Sequence, residues 1–128
     1  MKKFFILLLV VILIMSNVAY AKSYNFTFMN MSSTLGSGTA VKDRTANNWE
    51  CKVSGVNVSK TNIFEHRILL SDGSSRSSWK TATGMSSTYK AQSYNTTVSV
   101  GQSFKINGRK GSSSTTGEPL TASGDFRP

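Results

Sequence analysis

The sequence predicts an all-β protein, an antiparallel β-sandwich of about seven or eight short strands. Apolar and polar residues alternate in several short segments, which is the period of a strand with one buried face. Turn-forming Gly, Asn, Asp and Ser residues separate these segments. After residue 21 no apolar stripe with the 3.6-residue period of a helix occurs. Several short strands with turn signals between them are typical of a sandwich.

The first 21 residues have the pattern of a secretory signal peptide. The basic pair Lys2-Lys3 precedes an apolar run at residues 4–15, and Ala19-Tyr20-Ala21 has the small residues of a cleavage site. The apolar run is shorter than the roughly 20 residues that a membrane-spanning helix needs. We therefore expect a cleaved signal-peptide helix in residues 1–21, one secreted β domain in residues 22–128, and no transmembrane segment in the mature chain.

The first predicted strand covers residues 23–29. Tyr24, Phe26 and Phe28 lie on one of its faces, and polar residues lie on the other. This alternation predicts a half-buried strand, with Phe26 and Phe28 as anchors of the core.

Residues 41–53 predict a strand, a turn and a second strand, which together form a central hairpin. The turn is assigned to residues 46–48, Ala-Asn-Asn, because Asn tolerates the left-handed conformation. Trp49, Cys51 and Val53 share the apolar face of the second strand. Trp49 is therefore predicted to anchor the core. As the single cysteine of the chain, Cys51 excludes a disulfide scaffold and is expected to be a buried thiol, with pairing between chains as the alternative.

Residues 63–70 predict a central strand, because both of its faces carry apolar residues. Ile68 is expected in the core, with His66 beside it as a core or core-edge imidazole. Asp72-Gly73 is a strong turn signal after this strand.

The C-terminal part of the sequence completes the predicted sandwich. Strands are expected at residues 88–94, 96–100 and 103–107, and a final edge strand at residues 119–126. The turns between them are assigned to Gly101-Gln102 and Asn107-Gly108. The predicted core anchors of the whole domain are Trp49, Phe26, Phe28, Ile68 and Phe104, with Val98 beside them.

The chain is basic, with 15 Lys and Arg residues against 6 Asp and Glu residues. Two of the lysines, Lys2 and Lys3, belong to the predicted signal peptide, so 13 basic residues remain, and they are scattered along the chain. Such a charge favours an anionic partner, either a cell-wall polymer or a membrane surface. The alternative is a solvated basic surface that serves solubility alone.

A basic patch edged by an aromatic ring is predicted from Lys105, Arg109, Lys110 and Tyr94. Trp79 lies between two polar loops and is a candidate for stacking on sugar rings, with a place in the core as the alternative. Secretion argues against nucleic acid as the partner. The oligomeric state is left open by the sequence.

Catalytic and metal-binding patterns are weak in this sequence. His66 is the only histidine, no serine occurs in a G-x-S-x-G pattern, and the six acidic residues are spread singly. One histidine and one cysteine far apart in the chain do not have zinc-site spacing. We therefore expect no catalytic residues, no metal and no cofactor.

The chain resembles small secreted β-sandwich proteins of Gram-positive bacteria whose function is unknown. The resemblance rests on the signal peptide, on the stretch from Arg44-Thr45 through Asn48-Trp49 to Val53, and on the final Ser123-Gly124-x-Phe126-x-Pro128. It also loosely resembles the lactococcin 972-type bacteriocins, which are cationic secreted β proteins. These resemblances imply a secreted β fold and carry over no site residues.

The leading hypothesis is a secreted, non-enzymatic protein that interacts with the cell surface or cell wall through a basic sandwich face. A secreted antibacterial, bacteriocin-like protein is the alternative. An uncharacterised hydrolase that uses His66 as its base is the lesser one.

Overall fold

The computed structural model describes residues 21–55 and 57–128. Within them the protein consists of antiparallel β-strands in two sheets, which confirms the predicted all-β class. The predicted signal peptide, apart from Ala21, lies outside the described residues. In the part of the chain that the structure describes, no helix could cross a bilayer. The strands are β1 (Lys22–Phe28), β2 (Thr34–Gly36), β3 (Ala40–Val41), β4 (Asn48–Val53), β5 (Phe64–Leu70), β6 (Lys80–Ala82), β7 (Lys90–Ser93), β8 (Ser103–Lys110) and β9 (Leu120–Arg127).

The two sheets share one hydrophobic core. The first sheet has the strand order β1-β9-β4-β7, and the second has the order β2-β8-β5-β6, with β3 also paired to β8. Every pairing is antiparallel. Because side chains alternate between the faces of a strand, each sheet turns one apolar face inward. The predicted anchors Trp49, Phe26, Phe28, Ile68 and Phe104 are all buried in this core, and Val98 packs against it.

The predicted central hairpin is wrong. β3 pairs with β8 in the second sheet, whereas β4 pairs with β7 and β9 in the first sheet. The segment between β3 and β4 therefore crosses from one sheet to the other, and a hydrogen bond of 2.8 Å from Lys42 Nζ to the Ala46 carbonyl oxygen holds it. A local turn signal is the same for a hairpin and for a crossover, and only the pairing of both strands with distant partners decides between them.

The C-terminal strand assignments also change. Residues 96–100 form no strand; they lead into a turn at Gly101, which has a φ of +90°. β8 continues through Asn107-Gly108 instead of turning there. Gly108 suits this buried position, because a Cβ atom would lie within 3.0 Å of the Phe26 and Phe64 rings.

The last strand is central rather than an edge. β9 lies between β1 and β4 and pairs with both of them. Leu120, Ala122 and Phe126 alternate inward and are fully buried, which explains why this strand occupies the interior of the sheet. Pro119 precedes the strand, so its missing N–H does not interrupt the ladder.

Candidate functional site

The outward face of the second sheet brings together three of the five residues predicted to bind a ligand. In β8 the inward positions are Phe104 and Ile106, so Lys105 and Arg109 lie on the opposite, outward face. β5 lies beside β8 in this sheet and places its own outward residues next to them. The outward cross-strand pairs are Glu65 with Arg109, Arg67 with Asn107, and Leu69 with Lys105.

Trp79 is the third predicted residue on this face. It directly precedes β6, where His66 of β5 pairs with Lys80, so the register places Trp79 beside Arg67. The Arg67 Cζ atom lies 4.4 Å from the centroid of the Trp79 ring, and the Arg109 Cζ atom lies 4.1 Å from it. Both separations are within the range of cation–π contacts. We call the surface formed by Arg67, Trp79, Lys105 and Arg109 the arginine–tryptophan face.

Neighbouring side chains fix the orientation of both guanidinium groups. Arg109 Nε donates a hydrogen bond of 2.6 Å to Glu65 Oε2, and Arg67 Nε donates one of 3.1 Å to Asn107 Oδ1. Asn107 is held in turn, because its Nδ2 donates to the Leu35 carbonyl oxygen at 3.0 Å. Among the described residues, the Nη nitrogens of Arg67 and Arg109 make no hydrogen bond. Each guanidinium is thus held by Nε and the indole ring, with its terminal donors left for a ligand.

The arginine–tryptophan face is positively charged. It holds three cationic side chains, Arg67, Lys105 and Arg109, and one carboxylate, Glu65, which is paired with Arg109. Asp72 lies at the margin near Lys105. Hydrogen bonds from Ser74 hold the pKa of Asp72 below its usual value, and the charge of Lys105 adds to this effect. The excess of charge on the face is therefore suited to an anion.

Lys110 and Tyr94 do not join this face, which corrects the predicted patch. Lys110 lies on the inward side of β8 and is buried, and its Nζ donates hydrogen bonds to the carbonyl oxygens of Thr116 at 2.8 Å and Glu118 at 2.5 Å. Its ammonium group therefore fastens the loop between β8 and β9. Tyr94 is also buried, with its ring centroid 5.7 Å from that of Phe104.

Arg67 belongs to this face, although the sequence alone does not predict it there. Its position in β5 alternates with His66 and Ile68, which identifies it as outward-facing. Its partners, however, follow from the pairing of β5 with both β6 and β8. The sequence shows the alternation, but it does not predict the two strand registers that place Arg67 beside Trp79 and Asn107.

His66 and Cys51 are both buried, as expected from their strand positions. The His66 ring is stacked on Phe64, with centroids 5.1 Å apart, and meets the edge of Trp49 at 5.8 Å. Burial lowers the pKa of His66 to about 4, so the imidazole is neutral at pH 7. Burial likewise raises the pKa of the free Cys51 thiol to about 12, and Tyr24 Oη lies 3.7 Å from its Sγ.

No family model, curated protein or solved structure matches this chain. The function is therefore inferred from the chemistry of its own residues.

Proposed function

We propose that the protein is a secreted, non-enzymatic module that binds an anionic cell-wall polymer through the arginine–tryptophan face. The observation that carries the proposal is the pair of guanidinium groups on Trp79. Each is held by its Nε atom, and its Nη donors have no partner among the residues that the structure describes. A guanidinium fork matches the oxygen pairs of phosphate and carboxylate groups. Two such forks held in place lose less side-chain entropy on binding than flexible lysines would.

A polymer fits this face better than a small ion does. Lys105 and Arg109 lie four residues apart on β8, which corresponds to roughly 13 Å along a strand. Anionic groups repeated along an extended chain can meet cations at such a spacing, whereas one small ion cannot reach both. The half-buried Trp79 ring lies against both guanidinium groups, so in this proposal it orients the two arginines for the polymer.

The proposed secretion rests on the pattern of residues 1–21 and is supported by the position of the first strand. β1 begins at Lys22, the residue after the predicted cleavage site, and all seven of its residues pair with β9. Cleavage after Ala21 would therefore leave the first sheet intact.

The proposal is tested by co-sedimentation of the protein, purified from residue 22 onward, with three preparations at low and high salt. These are intact Gram-positive cell walls, walls from which phosphate polymers have been extracted, and anionic lipid vesicles. We expect retention on intact walls that decreases at high salt, because exposed ionic contacts are screened, and little retention on extracted walls. Retention on vesicles but not on walls would assign the face to a membrane surface instead.

A charge-matched pair of variants identifies the face responsible. Arg67→Gln combined with Arg109→Gln should abolish most of the retention. Lys60→Gln combined with Lys90→Gln removes the same number of charges from exposed positions elsewhere and should retain it. Equal losses in the two double variants would mean that net charge, rather than the arginine–tryptophan face, binds the wall.

The bacteriocin-like alternative requires, in addition, that the purified protein inhibits the growth of a related strain.

A further inference from the structure

The longest edge strand in the described part of the chain is β1, which forms one edge of the first sheet. It has seven residues, whereas β2 and β6 have three residues each, β3 has two and β7 has four. All seven residues of β1 pair with β9 in one continuous register, so the strand contains no bulge. Among the described residues, no backbone hydrogen bond joins β1 to any segment other than β9. Its outer row of N–H and C=O groups is therefore open to another strand.

The opposite side of the sandwich is less suited to pairing with another strand. There the edge strands β6 and β7 are short, and each begins with a lysine, Lys80 or Lys90. Short or charged edges resist pairing, and many proteins protect their edge strands in this way. A cavity of about 210 Å³, whose lining includes Cys51, His66 and Lys90, also opens between the two sheets on this side. We therefore expect little pairing of another strand with β6 or β7.

β1 carries no such protection. Its outward-facing residues are Ser23, Asn25 and Thr27, which are exposed and uncharged. Its single charged residue is Lys22, at the first position of the strand. The Lys22 Cε atom would lie 2.8 Å from a Cβ atom at Gly38, so this side chain extends toward the segment between β2 and β3. The rest of the strand is an uncharged edge.

The β1 edge is complementary to a second copy of itself. When two β1 strands pair antiparallel about Asn25, all seven residues of each strand are matched, and Ser23 lies opposite the partner's Thr27. Polar pairs of this kind stabilise antiparallel strands. The two Lys22 residues then lie about 20 Å apart along the strands, which exceeds the Debye length of about 8 Å at physiological ionic strength. Two basic chains can therefore meet along β1 without bringing the charges of this strand close together.

Apolar side chains border the same edge. β1 and β2 lie on the same side of the sandwich, because β7 and β6 form the other side. Leu35 of β2 pairs with Gly108, whose Cβ position faces the Phe26 ring of β1, yet Leu35 is 39% exposed. Met29 directly follows β1 and is 69% exposed. A second copy that covers these side chains adds hydrophobic stabilisation to the strand pairing.

We propose that the protein forms a two-fold symmetric dimer in which the β1 strands of two copies pair antiparallel about Asn25. The four-stranded first sheets of the two copies then join into one continuous sheet. Growth stops at two copies, because each copy has one β1 strand and the pairing uses its free edge.

The symmetry of this dimer also determines where the two arginine–tryptophan faces lie. The two-fold axis of an antiparallel strand pair is perpendicular to the sheet, so both second sheets lie on the same side of the joined first sheets. Both arginine–tryptophan faces then point in one direction, and a single polymer surface can engage them together with higher avidity. This consequence rests on the proposed function of the face, whereas the dimer itself does not.

The test is sedimentation equilibrium of the protein, purified from residue 22 onward, over a range of concentrations and without cell walls. We expect a reversible monomer–dimer equilibrium, because the pairing of one strand edge gives a small interface. Asn25→Lys should raise the dissociation constant of the dimer about tenfold, since the two-fold axis places the two new charges opposite each other. Ala91→Lys is the matched control. It adds the same charge at an exposed position of β7, the opposite edge of the same sheet, and should leave the equilibrium unchanged.

Opposite charges distinguish a broken interface from a damaged fold. Asn25→Glu alone should weaken the dimer as Asn25→Lys does, whereas an equimolar mixture of the two variants should restore it. A natural sequence that remains monomeric up to about 1 mM would overturn the proposal. So would equal dissociation constants for Asn25→Lys and Ala91→Lys, or a mixture that dimerises no better than its components. Because no cell wall is present, the result is the same whether or not the arginine–tryptophan face binds one.

Discussion

Acidification should destabilise the protein through His66. The pKa of this imidazole falls from 6.5 to about 4 in the folded protein, chiefly through burial and secondarily through the charge of Lys80. Cys51 of β4 and Lys90 of β7 line the same cavity as His66, but the thiol, with its pKa of about 12, stays protonated throughout the acid range. Between pH 6.5 and pH 4 the unfolded chain therefore binds a proton that the folded chain does not. The stability contributed by neutral His66 is present above the unfolded pKa and is lost as the pH falls.

The size of this effect follows from the pKa difference. One pKa unit corresponds to about 1.4 kcal/mol, so the loss reaches about 2 kcal/mol at pH 5 and about 3 kcal/mol at pH 4. Below the folded pKa both states are protonated and the loss stops growing. For a domain of this size, 2 kcal/mol corresponds to a decrease in Tm of about 10 °C.

The measurement is urea unfolding, followed by circular dichroism, at several pH values between 7.5 and 4.5. His66→Gln is the reference, because its side chain does not titrate while the carboxylates remain the same in both proteins. We expect the free energy of unfolding of the natural protein to decrease more steeply with acidification than that of His66→Gln. Parallel curves would refute the assignment of His66 as a buried neutral imidazole.

Three further predictions concern the core, the strand register and the binding face. Trp49→Ala should lower the free energy of unfolding by about 3–5 kcal/mol, because Trp49 is fully buried, and an unchanged Tm would contradict its core position. Gly124→Ala should lower the free energy of unfolding by about 3 kcal/mol, because the added Cβ would overlap a backbone carbonyl of β4. Gly117→Ala is the control: its added Cβ would meet nothing within 4 Å, so the Tm should stay unchanged. Arg67→Lys combined with Arg109→Lys retains the charge but removes both forks, so wall retention at fixed salt should fall several-fold; full retention would show that charge alone suffices.

The inward faces of the strands were predictable, because the two-residue period of burial is a local property. Alternation alone predicts that Phe26, Phe28, Trp49 and Phe104 lie in the core, and all four are buried there. Strand partners were not predictable in the same way. Trp49 follows a convincing turn signal, yet β3 and β4 belong to different sheets, since pairing depends on distant segments.

In the candidate site too, the face on which a residue lies is predictable from the sequence, whereas its partners on other strands are not. Arg109 and Lys110 are predicted in one patch, but both belong to β8, and adjacent residues of a strand point to opposite faces. Lys105 and Arg109 have the same parity and do share a face. Arg67 joins them only through the pairing of β5 with β6 and β8. The cavity that contains Cys51 and His66 likewise forms only when the two sheets meet.

The interior position of β9 determines when the protein can fold. β1 and β4 are synthesised early, but neither pairs with the other, and the strand that joins them is the last one described. The pairing of Lys22 with Phe126 closes a loop that contains all the intervening strands. Such distant pairing makes folding slow, and the first sheet cannot assemble until residues 120–127 have emerged. In a nascent chain the first sheet therefore stays unassembled until this late point. This order of folding would suit the proposed secretion, because passage through a narrow export channel requires an unfolded chain.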